Sequence, residues 1–205
     1  MSQPRTYRSE LRDQQARQTR SVIAAQARRA FLESGWAGTS VRSVAVAAGV
    51  SEATVYNVYG SKAGLAVSLI DAAEEEADVA RAVAELTEHA GDPRAQLGAF
   101  VAFDRRLFER GGDVLRVLAE GRRQHPELGD AYDEGRRRGD GQRRQLFSSW
   151  PTSVWRRGID VDRALAVYEM VVSPWAFDVA VTERGWAPAD VEELWAGALA
   201  ELLLA

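Results

Sequence analysis

The residue types that could do chemistry in this chain are few. Its 205 residues include no cysteine and only two histidines, His89 and His125, far apart and without metal-ligand spacing. No glycine-rich phosphate loop is present. No catalytic group, metal site or cofactor is therefore implied, and an enzyme is not expected. What remains is a chemistry of recognition. Along one short stretch, Ala53, Thr54, Tyr56 and Asn57 share a helix face with Glu52 at its rim. An amide can read a base edge, hydroxyls can hold phosphates, and a small side chain permits close approach. A second grouping is a carboxylate, Asp104, set in the middle of an apolar helix face, in a region holding Phe100, Phe103, Tyr132, Trp150, Tyr168 and Trp175. A carboxylate there is costly unless it is paired or hydrogen-bonded. Either it pairs with an arginine of a neighbouring helix, or it lines a cavity and holds a cationic or hydrogen-bonding ligand.

The elements that must position the first group lie between Thr39 and Lys62, in TSVRSVAVAAGVSEATVYNVYGSK. Val41, Val44, Ala45 and Ala48 recur at i, i+3, i+4 and i+7, the apolar face of a helix. Ser40 stands at its N-cap, and Gly49 stops it. Ser51 caps a second helix, in which Val55, Val58 and Tyr59 share the inner face, and Gly60 ends it. Ser61-Lys62 opens the next. Two short helices around a glycine-containing turn have the geometry of a helix-turn-helix, whose second helix fits a DNA major groove. An ordinary helical hairpin in an all-α core would show the same periodicity.

The detailed pattern resembles the DNA-binding segment of the tetracycline-repressor (TetR) family of bacterial transcription regulators. The matching residues are Gly35-Trp36, Thr39-Ser40-Val41, Val44-Ala45, Ala48-Gly49-Val50-Ser51, Thr54-Val55-Tyr56, Tyr59 and Ser61-Lys62. The likeness covers roughly residues 15–70. It implies a homodimeric repressor on a palindromic operator, with a small-molecule effector in the C-terminal part. It also implies dimerisation through the last two helices, at 160–184 and 188–204. One position departs: Val58 stands where the family usually has a histidine before the second aromatic. From the residues, Ala53 and Asn57 are expected to face bases, with Glu52 beside them. Arg17, Arg20, Thr39, Ser40, Thr54, Tyr56 and Lys62 are expected to hold phosphates.

Charge supports a division of labour. Residues 1–62 hold nine Arg/Lys and four Asp/Glu, a net +5, whereas residues 63–205 carry −9 within an overall −4. A basic end on an acidic remainder is expected where only one part meets nucleic acid. We therefore expect a DNA-binding domain over 1–62 and a helical ligand-binding and dimerisation domain over 63–205. Residues 1–14 lack apolar periodicity and read as a partly disordered arm, with Arg5, Arg8 and Arg12 able to reach DNA or to remain solvated. No apolar run approaches the ~20 residues that span a bilayer, and the polar, Arg-rich start is no signal peptide, so a cytoplasmic protein without a membrane partner is expected.

The rest reads as all-α, about nine helices in total. The first runs from about Gln15 to Ser34 with Ile23, Ala27, Ala30 and Phe31 inward. A long helix spans Lys62 to about His89, with Leu65, Leu69, Ile70, Ala73, Ala80 and Val83 on its stripe. Asp92-Pro93 starts the next, Gly111-Gly112 breaks it, and a short helix follows to Gln124. Pro126 to Phe147 is helical, weakened by Gly139 and Gly141 and flanked by Arg136-Arg137-Arg138 and Arg143-Arg144, which suit a solvated face better than a second DNA contact. Asp160 caps a helix to about Arg184 that Pro174 should kink. The last, from Pro188, carries Val191, Leu194, Trp195, Ala198, Leu199, Leu202 and Leu203. An aromatic-rich middle region suits an apolar ligand pocket. The other reading is a DNA-binding regulator without a ligand, constitutive or controlled by a protein partner.

Overall fold

Ser40, Ser51, Ser61, Asp92 and Asp160 each accept a backbone N–H three residues on, and each begins a helix. These local signals set the frame of the computed structural model, which describes residues 5–123 and 125–205, with side chains from residue 14 onward except at Ala131. The helices are α1 (Arg5–Gly38), α2 (Val41–Ala48), α3 (Glu52–Tyr59), α4 (Lys62–Glu76), α5 (Val79–Glu88), α6 (Pro93–Gly121), α7 (Pro126–Ser149), α8 (Val161–Val171), α9 (Pro174–Asp178) and α10 (Pro188–Leu203). The all-α class holds: among the described residues the only β pairing is one isolated bridge, Trp155 to Leu204.

Two apolar cores organise these helices. The first joins Ile23, Ala27, Phe31, Val44, Val55, Leu65 and Ile70 to Val114, Leu118 and Leu128. The second gathers Leu97, Val101, Phe108, Phe147, Tyr168, Trp195 and Leu203. Helix α6 runs through both, and it packs on α1, α4, α5, α7, α9 and α10. The first core thus extends well past Lys62, into α4, α6 and α7.

Several boundaries differ from the sequence reading, each for a tertiary reason. Helix α1 begins at Arg5, ahead of the expected Gln15, and so takes in part of the expected arm. Residues 1–4 and the side chains of Arg5, Arg8 and Arg12 lie outside the described residues. At its far end Gly35 turns out of the helical region (φ 66°), as a glycine stop should. The long helix from Lys62 divides at Ala77-Asp78, where Asp78 is left-handed (φ 64°) and caps α5 through Arg81 N–H. Arg106 of α6 fixes this joint by donating to the Ala77 carbonyl at 2.8 Å. Beyond it Ala82 turns inward, and Ala80 and Val83, expected inside, are exposed.

Gly111-Gly112 does not break α6. Both glycines are buried in one continuous helix, and Gly111 lets α4 come close. Gly139 and Gly141 likewise leave α7 intact. Pro174 does more than kink its helix. The chain opens at Val172-Ser173, Ser173 caps a new start, and Pro174 occupies the first turn of α9. The stretch Val161–Glu183 is long and apolar enough by composition to cross a bilayer, contrary to expectation. It is nevertheless interrupted at Ser173, and Ala164, Tyr168 and Phe177 are buried in the second core.

Candidate DNA interface and interior cavity

Helix α2 is closed at both ends. Ser40 and Ser43 cap one another reciprocally, the Ser43 N–H donating to Ser40 Oγ at 3.0 Å, and left-handed Gly49 closes the other end. Val44 and Ala45 seat α2 on α1, and Val55 seats α3 in the same core. Tyr59 completes the hold on α3, its hydroxyl donating to the Arg20 carbonyl at 3.0 Å. Burial pushes that hydroxyl's pKa up, so it stays a donor. With the inner face occupied, Glu52, Ala53, Tyr56 and Asn57 are left pointing to solvent.

Other expected contact residues divide into three groups. Arg17, Arg20 and Ser40 are exposed and free to meet a phosphate, while Thr54 is half-buried with its hydroxyl 2.8 Å from Ser51 Oγ. Thr39 is not available: it is buried, and its hydroxyl serves the Ala30 and Gly35 carbonyls at 2.9 and 2.8 Å. It ties the end of α1 where Gly35 has opened the helix. Lys62 is also turned inward. Its ammonium donates to the Trp36 carbonyl and sits 4.1 Å from the Trp36 ring centroid, and burial lowers its pKa. Val58, expected inside, is 38% exposed, because the inner face of α3 is filled by Val55 and Tyr59. The position that lacks the family's histidine therefore faces outward. Sequence reasoning passed over Arg42, which is exposed on α2 with its Nε 3.9 Å from Glu52. A basic residue one position into the first helix of the pair was the signal.

The second grouping encloses a cavity of about 640 Å³ among α4, α5, α6, α7 and α8. Phe100, Phe103, Asp104, Tyr132 and Tyr168 line it, as expected. Trp150 and Trp175 do not. Trp150 is buried in the second core, stacked near Phe147 and donating its indole N–H to Gln96 at 2.8 Å. Trp175 is 71% exposed, because Phe177, two residues on, takes the inward face of α9.

Asp104 pairs with an arginine of a neighbouring helix, the first of the two readings. It is 3% exposed, and its Oδ2 accepts from Arg143 at 2.6 Å and from the Tyr168 hydroxyl at 2.7 Å. It also lines the cavity. Burial opposes the Arg143 charge, but Asp104 outweighs it and holds the guanidinium above its usual pKa range. Burial keeps Tyr168 well above the normal phenol range, so it remains protonated and donating. Three other arginines of α7 are tied across helices, Arg136 to Glu169, Arg138 to Asp71 and Arg144 to Asp162, while Arg137 pairs with Glu134 on α7 itself. They form a solvated face, as expected, laced with ion pairs.

The cavity and the reading head are mechanically joined. Arg28 of α1 donates to Asp113 at 2.9 Å and to the Arg110 carbonyl, both on α6. Leu118 lines the cavity and belongs to the first core. Helix α4 makes the same connection through Ile70, which lines the cavity and belongs to the first core.

Comparison with known proteins agrees with this architecture. The N-terminal family model of bacterial regulatory proteins, tetR family, matches residues 23–69. No curated protein matches the chain. Among solved structures, it is similar to NalD, the secondary repressor of the MexAB-OprM multidrug efflux pump in Pseudomonas aeruginosa. Identity there is 20% and the TM-score 0.72, over 93% of this chain and 98% of that one. A transcriptional regulator from Rhodococcus sp. is 23% identical with a TM-score of 0.62, over 89% and 95% of the two chains. A regulator from Saccharomonospora viridis, solved in complex with choline, is 18% identical with a TM-score of 0.68, over 92% and 98%.

Proposed function

We propose that this chain, a DNA-binding transcription regulator whose residues 23–69 carry the tetR-family segment, acts as a homodimeric, effector-responsive repressor on a palindromic operator. Residues 1–62 form the reading unit and residues 63–205 the effector-binding and dimerising part, in the cytoplasm. Ala53 and Asn57 meet base edges beside Glu52. Ser40, Thr54, Tyr56, Arg17, Arg20 and Arg42 meet phosphates. The observation that carries the reading is α3 itself: capped, held by Val55 and Tyr59, and presenting Ala53, Tyr56 and Asn57 outward.

A single such helix reads only a few base pairs, so useful specificity needs two copies about 34 Å apart. Helix α10 offers a surface for pairing: Leu194 and Leu202 are half-exposed two turns apart, with partly covered Ala198 between them. Met170 and Trp175, from the 160–184 region, add exposed apolar surface. The cavity supports control by a small molecule, as does the choline held by the Saccharomonospora viridis protein. An effector acts only by binding the non-DNA conformation better. Helices α4 and α6 carry the difference, since both line the cavity and both enter the core around α1.

The test is selection of bound duplexes from a random pool at two salt concentrations. A palindromic consensus with half-sites one helical turn or a multiple apart is the expected result. Binding without a consensus that vanishes as salt rises would reduce the arginines to nonspecific attraction and overturn the reading.

A further inference from the structure

The charges at the polar end of the cavity do not cancel. Three arginines line it, and each is already held by a carboxylate: Arg136 by Glu169 at 2.6 Å, Arg138 by Asp71 at 3.2 Å, and Arg143 by Asp104 at 2.6 Å. Four carboxylates line the same walls, Glu74, Asp104, Asp140 and Glu169, and no lysine or histidine does. An anionic ligand would have to break an existing ion pair, leaving a charge poorly compensated.

A cation meets the opposite situation. Both hydrogen bonds that Asp104 accepts end on Oδ2; among the described residues Oδ1 accepts none, in a side chain that lines the cavity. Glu74 is held only by Arg138 at 3.9 Å, beyond hydrogen-bond reach. Glu74 and Asp104 line the same cavity, and burial raises the Glu74 pKa against the opposing charge of Arg138. Phe103 supplies a ring face that attracts a cation, while Phe100 and Tyr168, which already face Arg143, and Tyr132, which already faces Arg122, pack an apolar body.

We propose that the cavity selects a monocationic amphiphile: an apolar or aromatic body ending in a protonated amine that donates to Asp104 Oδ1 and lies in the field of Glu74. This names the chemical class of the effector, and so rests on the reading of the cavity as an effector site. The apolar body contacts α5 and α6, where Val79, Val83 and Leu115 line the wall. The amine end sits between α4 and α6.

The test uses the full-length protein and four probes with one naphthalene body, titrated calorimetrically: 2-naphthylmethylamine, its N,N,N-trimethyl derivative, 2-naphthylmethanol and 2-naphthoate. The amine should bind about tenfold tighter than the alcohol, and the carboxylate weakest of all. Asp104→Asn should remove the preference for amine over alcohol. Glu74→Gln, a milder change outside the Asp104–Arg143–Tyr168 network, should weaken the amine about threefold at unchanged fold. Equal binding of amine and alcohol, tighter binding of the carboxylate, an amine affinity unchanged by Glu74→Gln, or no binding by any probe would overturn the proposal. Equal binding of the trimethyl derivative would overturn the hydrogen bond to Asp104. Operator binding measured on the same samples separates the two readings. Amine-selective binding that leaves operator affinity unchanged upholds the ligand class and removes effector control.

Discussion

Gly111 of α6 lies directly against Ala73 of α4: a Cβ built on Gly111 would stand 2.6 Å from the Ala73 methyl. Neither group can rotate away, so the absence of a side chain sets how closely the two helices approach. Gly111→Ala should force them apart and destabilise the protein by about 1–3 kcal/mol, the usual range for overpacking a core. Chemical denaturation of the two proteins checks this. Gly111→Ala combined with Ala73→Gly should recover most of the loss, because the offending methyl is removed from the facing helix.

The reading head gives a three-way comparison. Asn57→Ala should relax base preference at one position per half-site, at a cost of roughly 1–3 kcal/mol for the preferred sequence. Arg42→Ala should weaken all sequences alike and lower the salt slope by about one unit. Lys62→Ala should leave the salt slope unchanged and lower thermal stability, because its ammonium is bound to the Trp36 carbonyl. A fall in slope for Lys62→Ala in salt-titrated binding would show that it leaves Trp36 to meet a phosphate.

That revision of Lys62 shows what was legible in the sequence. The caps at Ser40, Ser51, Asp92 and Asp160 act within one turn, so their residues alone announce them. The outward face of α3 followed, because the inward positions recur at helical spacing. Thr39 and Lys62 carry polar groups of the right kind, but Gly35 opens α1 and exposes carbonyls that capture both. Gly111 reads as a helix breaker until Ala73 is seen beside it. The left-handed turn at Asp78 has no glycine or proline to announce it, and its cause, Arg106, lies 29 positions away. Trp150 and Trp175 are alike in type and differ in fate, because Gln96 receives the indole N–H of one and Phe177 takes the inward face of α9 from the other.

Dimerisation is tested on α10. Leu194→Arg with Leu202→Arg should shift the protein to monomer in analytical ultracentrifugation and abolish operator binding, while the melting profile of the monomer core stays cooperative. Both positions are about half-exposed, so the charges remain solvated in the single chain. A dimer that survives both changes would place the interface elsewhere.

Glu74 predicts a pH dependence. Burial raises its folded-state pKa above the usual carboxylate value, so the folded protein holds this proton more tightly than the unfolded chain. Ionised Glu74 therefore disfavours folding at neutral pH, and the penalty is relieved as pH falls through the raised value towards about 4.5, the ordinary value. Glu74→Gln cannot titrate. Its stability relative to the parent should be greatest at neutral pH and should shrink on acidification, as urea denaturation across that window would read. A difference independent of pH would mean that Glu74 is fully solvated.

Helix α6 is a single rod of about 44 Å, and it supplies Leu97 and Val101 to one core and Val114 and Leu118 to the other. The sequence boundary near Lys62 is thus not a boundary in packing. A chimera that joined this reading head to another regulator's C-terminal part at that point would leave Phe31, Ile23 and Trp36 facing foreign side chains. For such an exchange to fold, residues Val114, Leu118 and Leu128 must travel with the head, together with Asp113 for Arg28. Inheritance of the two parts is coupled in the same way: a change of ligand specificity that moves α6 is filtered through the fit of α1.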